Sequence, residues 1–576
     1  MTSPEPAQEA SAGRPDGNVD VLVIGAGITG IYQLFRAREA GFSALLLEAG
    51  DGVGGTWFWN RYPGARFDSE SYTYAYLFSK ELFDDWRWQE HFAEQPEIER
   101  YLNHVVDRFD LRRHIRLGAR VTSAVYDDSS GEWAVATNDG TERRTRFLVT
   151  ATGVLSVPYF PDVPGREDYR GESYHTGLWP LQPVDFAGKR VAVIGTGSSG
   201  VQVIPAIAGE VASLTVYQRT ANWCTPLNNA PITAEEQAQL REDFEAIRDI
   251  LNTSPSGFLH PVHDRKTFDD PTEARLAFFE KMWTSKGFSK LTSNYVDLTV
   301  DHAANALWCE FIAAKVRDIV EDPETAERLI PKDHRFAEKR PPFVTGYYET
   351  YNNPSVELVD LKETPFVRVT KTGIETADRE REFDIIVWAT GFDFGTGALA
   401  RLGIRGRGGL PLNGYWEDGP KTFLGILAVG FPNLFFPGGP HAAAGNNPRY
   451  NGDQVDFITE TLVYLREHGY DTIEVDADAE ERWTKMIDSG ASLSPFGEIS
   501  YYFGSNIPGK PRRYLLNSGG RPKLFKEIKR VYDNDYKALT LSRRSDGRDR
   551  GERRADDPGQ AERGGGEEEP APSVFT

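Results

Sequence analysis

Two glycine-rich turns, about 170 residues apart, carry the first chemical signal in this 576-residue chain. Gly25-Ala26-Gly27-Ile28-Thr29-Gly30 follows the apolar run VDVLVIG and precedes a helical stretch. In such a strand–turn–helix unit the first glycine permits a tight turn. The second lets the backbone approach a pyrophosphate, and the third lets helix and strand pack closely. The helix N-terminus offers N–H donors and a positive dipole end to phosphates. Glu48 closes the next apolar run, LLLEAG, 23 residues after Gly25, where a carboxylate accepts from ribose hydroxyls. Gly195-Thr196-Gly197-Ser198-Ser199-Gly200 repeats the pattern after KRVAVIG. There the following run, LTVYQR, ends without an acid, and Arg219 and Thr220 stand in its place. An acid would repel a 2′-phosphate, whereas Arg pairs with it bidentately. The first turn therefore suits the free ribose diol of FAD, and the second suits NADP.

Two Ala-Thr-Gly tripeptides extend this reading. Ala151-Thr152-Gly153 follows the run RFLVT, and Ala389-Thr390-Gly391 follows DIIVW, with Trp388 directly before it. Small residues at a strand end let backbone pass close to a dinucleotide. Two dinucleotide sites in one chain imply hydride delivery from a nicotinamide to a flavin. The two cysteines, Cys224 and Cys309, are too far apart in sequence for a redox pair, and no iron–sulfur or haem ligand spacing is present. Oxygen is the remaining common electron acceptor.

The elements that hold these turns are α/β. Two Rossmann-like dinucleotide-binding domains, for FAD and NADP, are expected with a mainly helical insertion. Residues 19–155 and 386–541 form the FAD domain in this division, and 156–227 with 333–385 the NADP domain. Residues 228–332, with stretches such as ITAEEQAQLREDFEAIRDILN, form the insertion. Residues 1–18 and 542–576 read as a disordered lead and tail, poor in apolar residues and rich in charge, Pro and Gly. The lead lacks the basic and apolar regions of a signal peptide. The net charge of −21 lacks the basic footprint of a nucleic-acid binder. No apolar run is long enough to span a membrane. Two cysteines exclude a disulfide framework and fit a reducing, cytoplasmic setting. The sequence leaves the oligomeric state open, with a monomer expected.

Four further segments bear a resemblance. Tyr169-Arg170-Gly171-Glu172-Ser173-Tyr174-His175-Thr176-Gly177-Leu178-Trp179-Pro180 resembles the FxGxxxHxxxW[P/D] fingerprint of Baeyer–Villiger monooxygenases, with Tyr169 replacing the opening Phe. Gly54-Gly55-Thr56-Trp57, continuing through Tyr62-Pro63-Gly64 to Asp68, resembles a second family pattern. Lys339-Arg340 and Asn506-Ile507-Pro508-Gly509-Lys510-Pro511 complete the likeness, which runs from about residue 20 to residue 511.

The resemblance implies an FAD- and NADPH-dependent enzyme that uses O2 to insert an oxygen beside a ketone carbonyl, through a flavin C4a-peroxide. It implies Arg340 as the fixed cation that stabilises the peroxide and the tetrahedral adduct, and Asp68 as the acid that holds Arg340. Lys339 joins Arg219 and Thr220 at the 2′-phosphate. Gln202, Trp388, Ala389, Thr390 and Asn446 are counted with the cofactor-binding positions, as are Ile28, Gly55, Thr56, Trp57 and Tyr62. Gly171, His175, Trp179 and Pro180 are assigned a structural or hinge role on a linker between domains. Many relatives carry SWY where this chain has Ser500-Tyr501-Tyr502. Tyr501, on a mobile loop over the pocket, suits a bulkier or more polar ketone. A bulky cyclic ketone leads, with a simple cycloalkanone or an aryl ketone beside it. The rival readings are a flavin monooxygenase that oxidises nitrogen or sulfur, and a flavoprotein that reduces oxygen without inserting it.

Overall fold

A computed structural model describes residues 18–442, 445–492 and 494–543. The expected lead and tail fall almost wholly outside these residues, with two corrections at their edges. The Asn18 side-chain oxygen accepts a hydrogen bond from the Arg144 backbone N–H at 2.9 Å, and Ser542 closes the strand Leu539–Ser542, which pairs with Thr472–Val475. A side-chain bond at Asn18 and strand pairing at Ser542 thus carry order to both proposed edges.

Two sheets dominate. In the first, the strands run in the order Ile404–Arg405, Val121–Asp127, Glu132–Thr137, Glu142–Thr150, Val19–Ile24, Ala44–Leu47 and Ile115–Arg116. Leu434–Phe435 also pairs with Glu142–Thr150. The central strand Val19–Ile24 is parallel to both neighbours, Ala44–Leu47 and Glu142–Thr150. Its last four residues are buried, as expected of a parallel strand covered on both faces. The second sheet is wholly parallel, in the order Val356–Asp360, Ser213–Gln218, Arg190–Ile194, Ile385–Trp388 and Glu172–His175.

The second sheet corrects two expectations. Ile385–Trp388 lies between Arg190–Ile194 and Glu172–His175, so the boundary set at residue 386 cuts through an interior strand. The chain returns to the first sheet only afterwards, at Ile404–Arg405 and Leu434–Phe435. The run Glu172–His175, expected on a linker, is an edge strand of the second sheet.

Between residues 228 and 332 the described structure is helical, with Ala234–Glu242, Phe244–Thr253, Thr272–Thr284 and His302–Ile319 the longest helices. Thr233 and Glu236 form a reciprocal capping box at the first of these, and Asp301 caps the last. This excursion is pinched at its base: Thr225–Pro226 pairs in parallel with Phe343–Val344. The helix Asn447–His468, which packs on Ile28–Glu39, begins with Pro448 in its first turn and ends at Gly469 in the left-handed conformation.

The third glycine of the first turn tests the packing of this frame. A methyl group on Gly30 would lie 1.9 Å from the carbonyl oxygen of Gly25. Gly30→Ala is therefore expected to lower the melting temperature and the soluble yield sharply, read by circular dichroism. A variant that melts like the parent would contradict this close approach.

Candidate active site

The two glycine turns are built alike. Gly25 and Gly195 both adopt positive φ, at +104° and +108°, a region that side chains with a Cβ rarely enter. A methyl on Gly25 would sit 2.6 Å from the carbonyl oxygen of Ala151, and one on Gly195 would sit 2.5 Å from that of Ala389. Each Ala-Thr-Gly tripeptide therefore lies against the first glycine of one turn, at the carboxyl ends of adjacent parallel strands. Open α/β sheets bind ligands in such crevices. A methyl on Gly55 would come within 2.7 Å of the Gly27 Cα, so bare backbone meets bare backbone there. Gly197 has nothing within 4 Å of the position a Cβ would take. Neither following helix has a side-chain cap at its N-terminus, which leaves its first N–H groups for a ligand.

Glu48 is buried at the end of its strand. Its carboxylate accepts from the Ala26 N–H at 2.7 Å and the Gly50 N–H at 2.8 Å. Burial raises its pKa, and these backbone bonds oppose the rise. Glu48 thus braces the turn itself, and each oxygen keeps acceptor capacity for a ribose hydroxyl.

At the second turn Thr196 donates from Oγ1 to the Thr220 carbonyl at 3.0 Å, joining the turn to the residue after Arg219. Lys339 is pulled below the ordinary ammonium range by burial and by the like charges of Arg219 and Lys362, with Asp333 pulling the other way. Lys362 has its own partner in Asp333, at 2.8 Å. Among the described residues neither Arg219 nor Lys339 is matched to a carboxylate in an ion pair. Two neighbouring cations without an ion-pair partner are the donor set a 2′-phosphate requires. This cluster, the open Gly197 and the uncapped helix fit NADP, and the Gly25–Gly27–Gly55 cradle with Glu48 fits the ADP half of FAD.

Asp68 and Arg340 meet although 272 residues separate them. Arg340 Nη2 lies 2.6 Å from Asp68 Oδ1 and 2.5 Å from Oδ2, with both side chains largely buried. Burial works against the Arg340 charge. Attraction to Asp68, and to Tyr502 and Tyr501, outweighs it and holds the guanidinium above its ordinary pKa. Its carbon stands 5.2 Å from the ring centre of Phe288 and 6.0 Å from that of Phe343, on the face where ring quadrupoles favour a cation. The site therefore holds a permanent positive charge between aromatic walls.

Tyr501 and Tyr502 pack with their rings tilted by 50° and 4.3 Å between ring centres, and both rings also meet Phe394, at 5.2 Å each. Burial raises both hydroxyl pKa values. Their loop is pinned: Lys510 Nζ pairs with Asp393 Oδ1 at 2.6 Å, and Asn506 donates to the Phe392 carbonyl at 2.8 Å.

His175 is buried between Phe160 and Phe392, with ring centres 4.8 and 5.8 Å away. Its Nδ1 accepts from the Gly177 N–H at 2.9 Å, and burial pulls its pKa down to about 4. It is a neutral, packed histidine. Trp179 packs near Tyr62, Tyr174 and Phe186, and its backbone N–H donates to the Trp59 carbonyl at 3.2 Å, tying the fingerprint to the first sheet's side. Pro180 follows it, half-buried, and Gly171 packs on the Tyr169 phenol.

Several residues counted as cofactor contacts have other work. The Trp388 indole packs with Ile374 and Tyr217 in the core beside the second sheet, and its N–H goes to Ser173 Oγ at 2.9 Å. Gln202 accepts from the Tyr62 hydroxyl at 2.8 Å and donates to the Arg66 carbonyl at 3.0 Å. Tyr62 also bonds Ser199, and burial pushes its phenol up to about 12. Tyr62, Gln202 and Ser199 therefore fasten the 62–66 loop to the helix after the second turn. Trp57 donates to the Tyr74 hydroxyl at 3.1 Å behind the exposed Thr56. Asn446 donates to the carbonyls of Thr73 and Gly257, at 3.0 Å each, and its buried Oδ1 has no partner among the described residues. Thr390 lies 3.3 Å from His175 Nε2 and donates to the Tyr159 carbonyl. The half-buried Ile28 opens its helix, and Ser198 stands exposed beside Gly197.

Phe288, Phe343, Tyr502 and Lys362 belong to the site and were missed. Phe288 lies in the helical excursion, 52 residues before Arg340, and no sequence spacing links the two. Tyr502 was readable as the neighbour of Tyr501.

Comparison with known proteins accords with this geometry. A family model described as pyridine nucleotide-disulphide oxidoreductase matches residues 22–251. The chain is 41% identical over 537 residues to a 2-oxo-Δ3-4,5,5-trimethylcyclopentenylacetyl-CoA monooxygenase of Pseudomonas putida, covering 91% of this chain and 98% of that one. It is 37% identical to a Baeyer–Villiger monooxygenase of Pseudooceanicola batsensis, covering 91% and 96%. A crystal structure of OTEMO in complex with FAD and NADP superposes with a TM-score of 0.87 at 41% identity, covering 91% of this chain and 99% of that one.

The exposed Arg219 beside Lys339 yields a direct expectation. Arg219→Ala should raise the KM for NADPH and leave that for NADH nearly unchanged. Loss of a charge-assisted bidentate contact costs about 1.5–3 kcal/mol, roughly a tenfold to hundredfold change. Equal effects on both nucleotides in steady-state kinetics would remove Arg219 from the phosphate site.

Proposed function

Since the chain belongs to the Baeyer–Villiger monooxygenases, FAD- and NADPH-dependent enzymes, we propose that Asp68 and Arg340 form its catalytic charge pair and that its substrate is a bulky cyclic ketone. Ketone, O2, NADPH and a proton become ester or lactone, NADP+ and water. When bound, FAD supplies oxygen activation and NADPH supplies the hydride.

The single observation that carries the reading is the largely buried contact of 2.5–2.6 Å between Arg340 and Asp68. Oxygen addition to a carbonyl places negative charge on the carbonyl oxygen. Arg340 is charged at any working pH and needs no proton transfer to meet that anion. A preorganised charge in a site with little water is worth several kcal/mol to such a step. Asp68 fixes the guanidinium in orientation, and Phe288 and Phe343 keep water from its face. Arg219, Thr220 and Lys339 hold the 2′-phosphate. His175 is a packing residue in this scheme, because its neutral ring has its Nδ1 engaged with backbone.

The substrate class is supported by Tyr501, a smaller ring than the Trp of many relatives, and by the trimethylcyclopentenyl group in the name of the Pseudomonas putida relative. The same reading places the enzyme in the cytoplasm, supported by its two separated cysteines, and without nucleic-acid partners, supported by its acidity. No helix among the described residues is long and apolar enough to cross a membrane.

Purified enzyme given NADPH, air and ketones from small rings to steroids should yield products one oxygen heavier that hydrolyse as esters, fastest with the bulky rings. Arg340→Ala should abolish ester formation while retaining bound FAD and measurable NADPH oxidation. Most of the oxygenation surviving in Arg340→Ala would refute the assigned role. N- or S-oxides in place of esters would move the enzyme to heteroatom oxidation.

A further inference from the structure

The two members of the charge pair ride on different domains. Arg340 is carried from the second sheet's side: the Thr225 N–H donates to the Pro342 carbonyl at 3.1 Å, and Thr225 follows shortly after the strand Ser213–Gln218. Asp68 is carried from the first sheet's side, directly after the loop 62–66. The seat of that loop against the second domain therefore decides where Asp68 meets Arg340.

The loop is held from two directions. On the first domain's side, the Gln95 N–H donates to the Ala65 carbonyl at 2.8 Å. Arg66 pairs there with Glu90 at 3.2 Å and with Glu94 at 2.5 Å. On the other side stands the helix Gly200–Ile207, which opens from the second glycine turn. Its sequence, GVQVIPAI, contains one polar side chain, Gln202. Gly64 adopts φ +78°, and a methyl there would lie 2.7 Å from the Gln202 carbonyl oxygen and 2.9 Å from the Ala206 Cβ. Gln202 and Ala206, one helical turn apart, form the face on which the loop rests.

The Gln202 amide spends both its ends on this loop. Its oxygen accepts from the Tyr62 hydroxyl at 2.8 Å, and its nitrogen donates to the Arg66 carbonyl at 3.0 Å. The buried Tyr62 thereby fixes which end of the amide points at Arg66, two residues before Asp68. The rest of the helix is apolar, so packing alone gives no reason for an amide at this position.

We propose that Gln202 is a positioning residue for oxygen insertion: by bridging Tyr62 and the Arg66 carbonyl, it sets Asp68 in register with Arg340 from the NADP side. The inference rests on the catalytic assignment of Asp68 and Arg340 above. It gives a role in the oxygen step to a residue whose place beside the second glycine turn reads as a cofactor contact. Displacing a positioned catalytic group by about 1 Å costs on the order of a hundredfold in rate. Hydride delivery does not draw on the Asp68–Arg340 pair in this scheme. Loss of the bridge should therefore separate the two halves of the reaction.

Holoenzyme variants should be compared for FAD content and melting temperature, for anaerobic bleaching of bound FAD by NADPH, and for ester formed per NADPH consumed. Gln202→Leu should keep its FAD and bleach at the parent's rate. Its ester per NADPH should fall by at least about fivefold, the worth of one neutral hydrogen bond, with the rest of the NADPH spent on hydrogen peroxide. Tyr62→Phe leaves the amide free to turn and should show a smaller fall. The double variant should lose no more than Gln202→Leu alone, because both changes break one bridge. Parent-like coupling in Gln202→Leu, or additive losses in the double variant, would overturn the inference. A matching fall in the bleaching rate would also overturn it and return Gln202 to the NADP site. A matching loss of FAD and melting temperature would reduce Gln202 to a structural residue. If Gln202→Leu fails to fold, Tyr62→Phe, which removes a single oxygen atom, carries the same readouts. Ester formation by Arg340→Ala would overturn the catalytic reading instead.

Discussion

A guanidinium cannot be taken out of water without an anion to meet it, and much of this structure supplies that condition. Asp68 closes the second family pattern, Arg340 comes from the end of the helical excursion, and Phe288 from its middle. Their meeting requires both sheets and the excursion to stand in one fixed relation. The Tyr62–Gln202 and Trp179–Trp59 bonds hold that relation between the two sheets, and the Thr225–Phe343 pairing holds it for the excursion. A buried pair left with one partner costs several kcal/mol, so the contact penalises any arrangement that separates the two halves.

Around this pair the chain uses one solution twice. A parallel strand ends in a positive-φ glycine, an uncapped helix follows, and the neighbouring strand ends in Ala-Thr-Gly against the turn. The copies differ where the ligands differ. Glu48 braces the first turn with two backbone bonds. Arg219 and Lys339 stand unmatched beside the second. The distinction between the two turns is therefore electrostatic more than geometric.

The parts that depend on local chemistry were legible in the sequence: the glycine turns, the two parallel strand pairs beside them, and the cation in place of an acid at Arg219. The parts that depend on long-range assembly were not. Trp388 read as a cofactor neighbour because it adjoins Ala389, yet side chains alternate along a strand, and its indole faces the core. Gln202 lies on the helix of the second turn, but its amide faces the first domain's loop. Phe288 carried no signal, since an aromatic residue in a helical stretch is ordinarily core. The 386 boundary failed for a related reason: Ile385–Trp388 completes the second sheet only when a distant stretch of chain returns to it.

The pinched base of the helical excursion has a consequence for how such enzymes diversify. Thr225–Pro226 and Phe343–Val344 lie side by side, within one strand spacing of about 4.8 Å. Everything between them leaves the sheets and returns to nearly the same place. Lengthening or trimming a closed excursion costs little, because loop-closure entropy grows only with the logarithm of length. Arg340 sits three residues before the closing strand, at the very end of the excursion and beside its pinched base. Helices within the excursion can therefore be rebuilt, residue by residue or whole, while Arg340 beside the pinched base keeps its address.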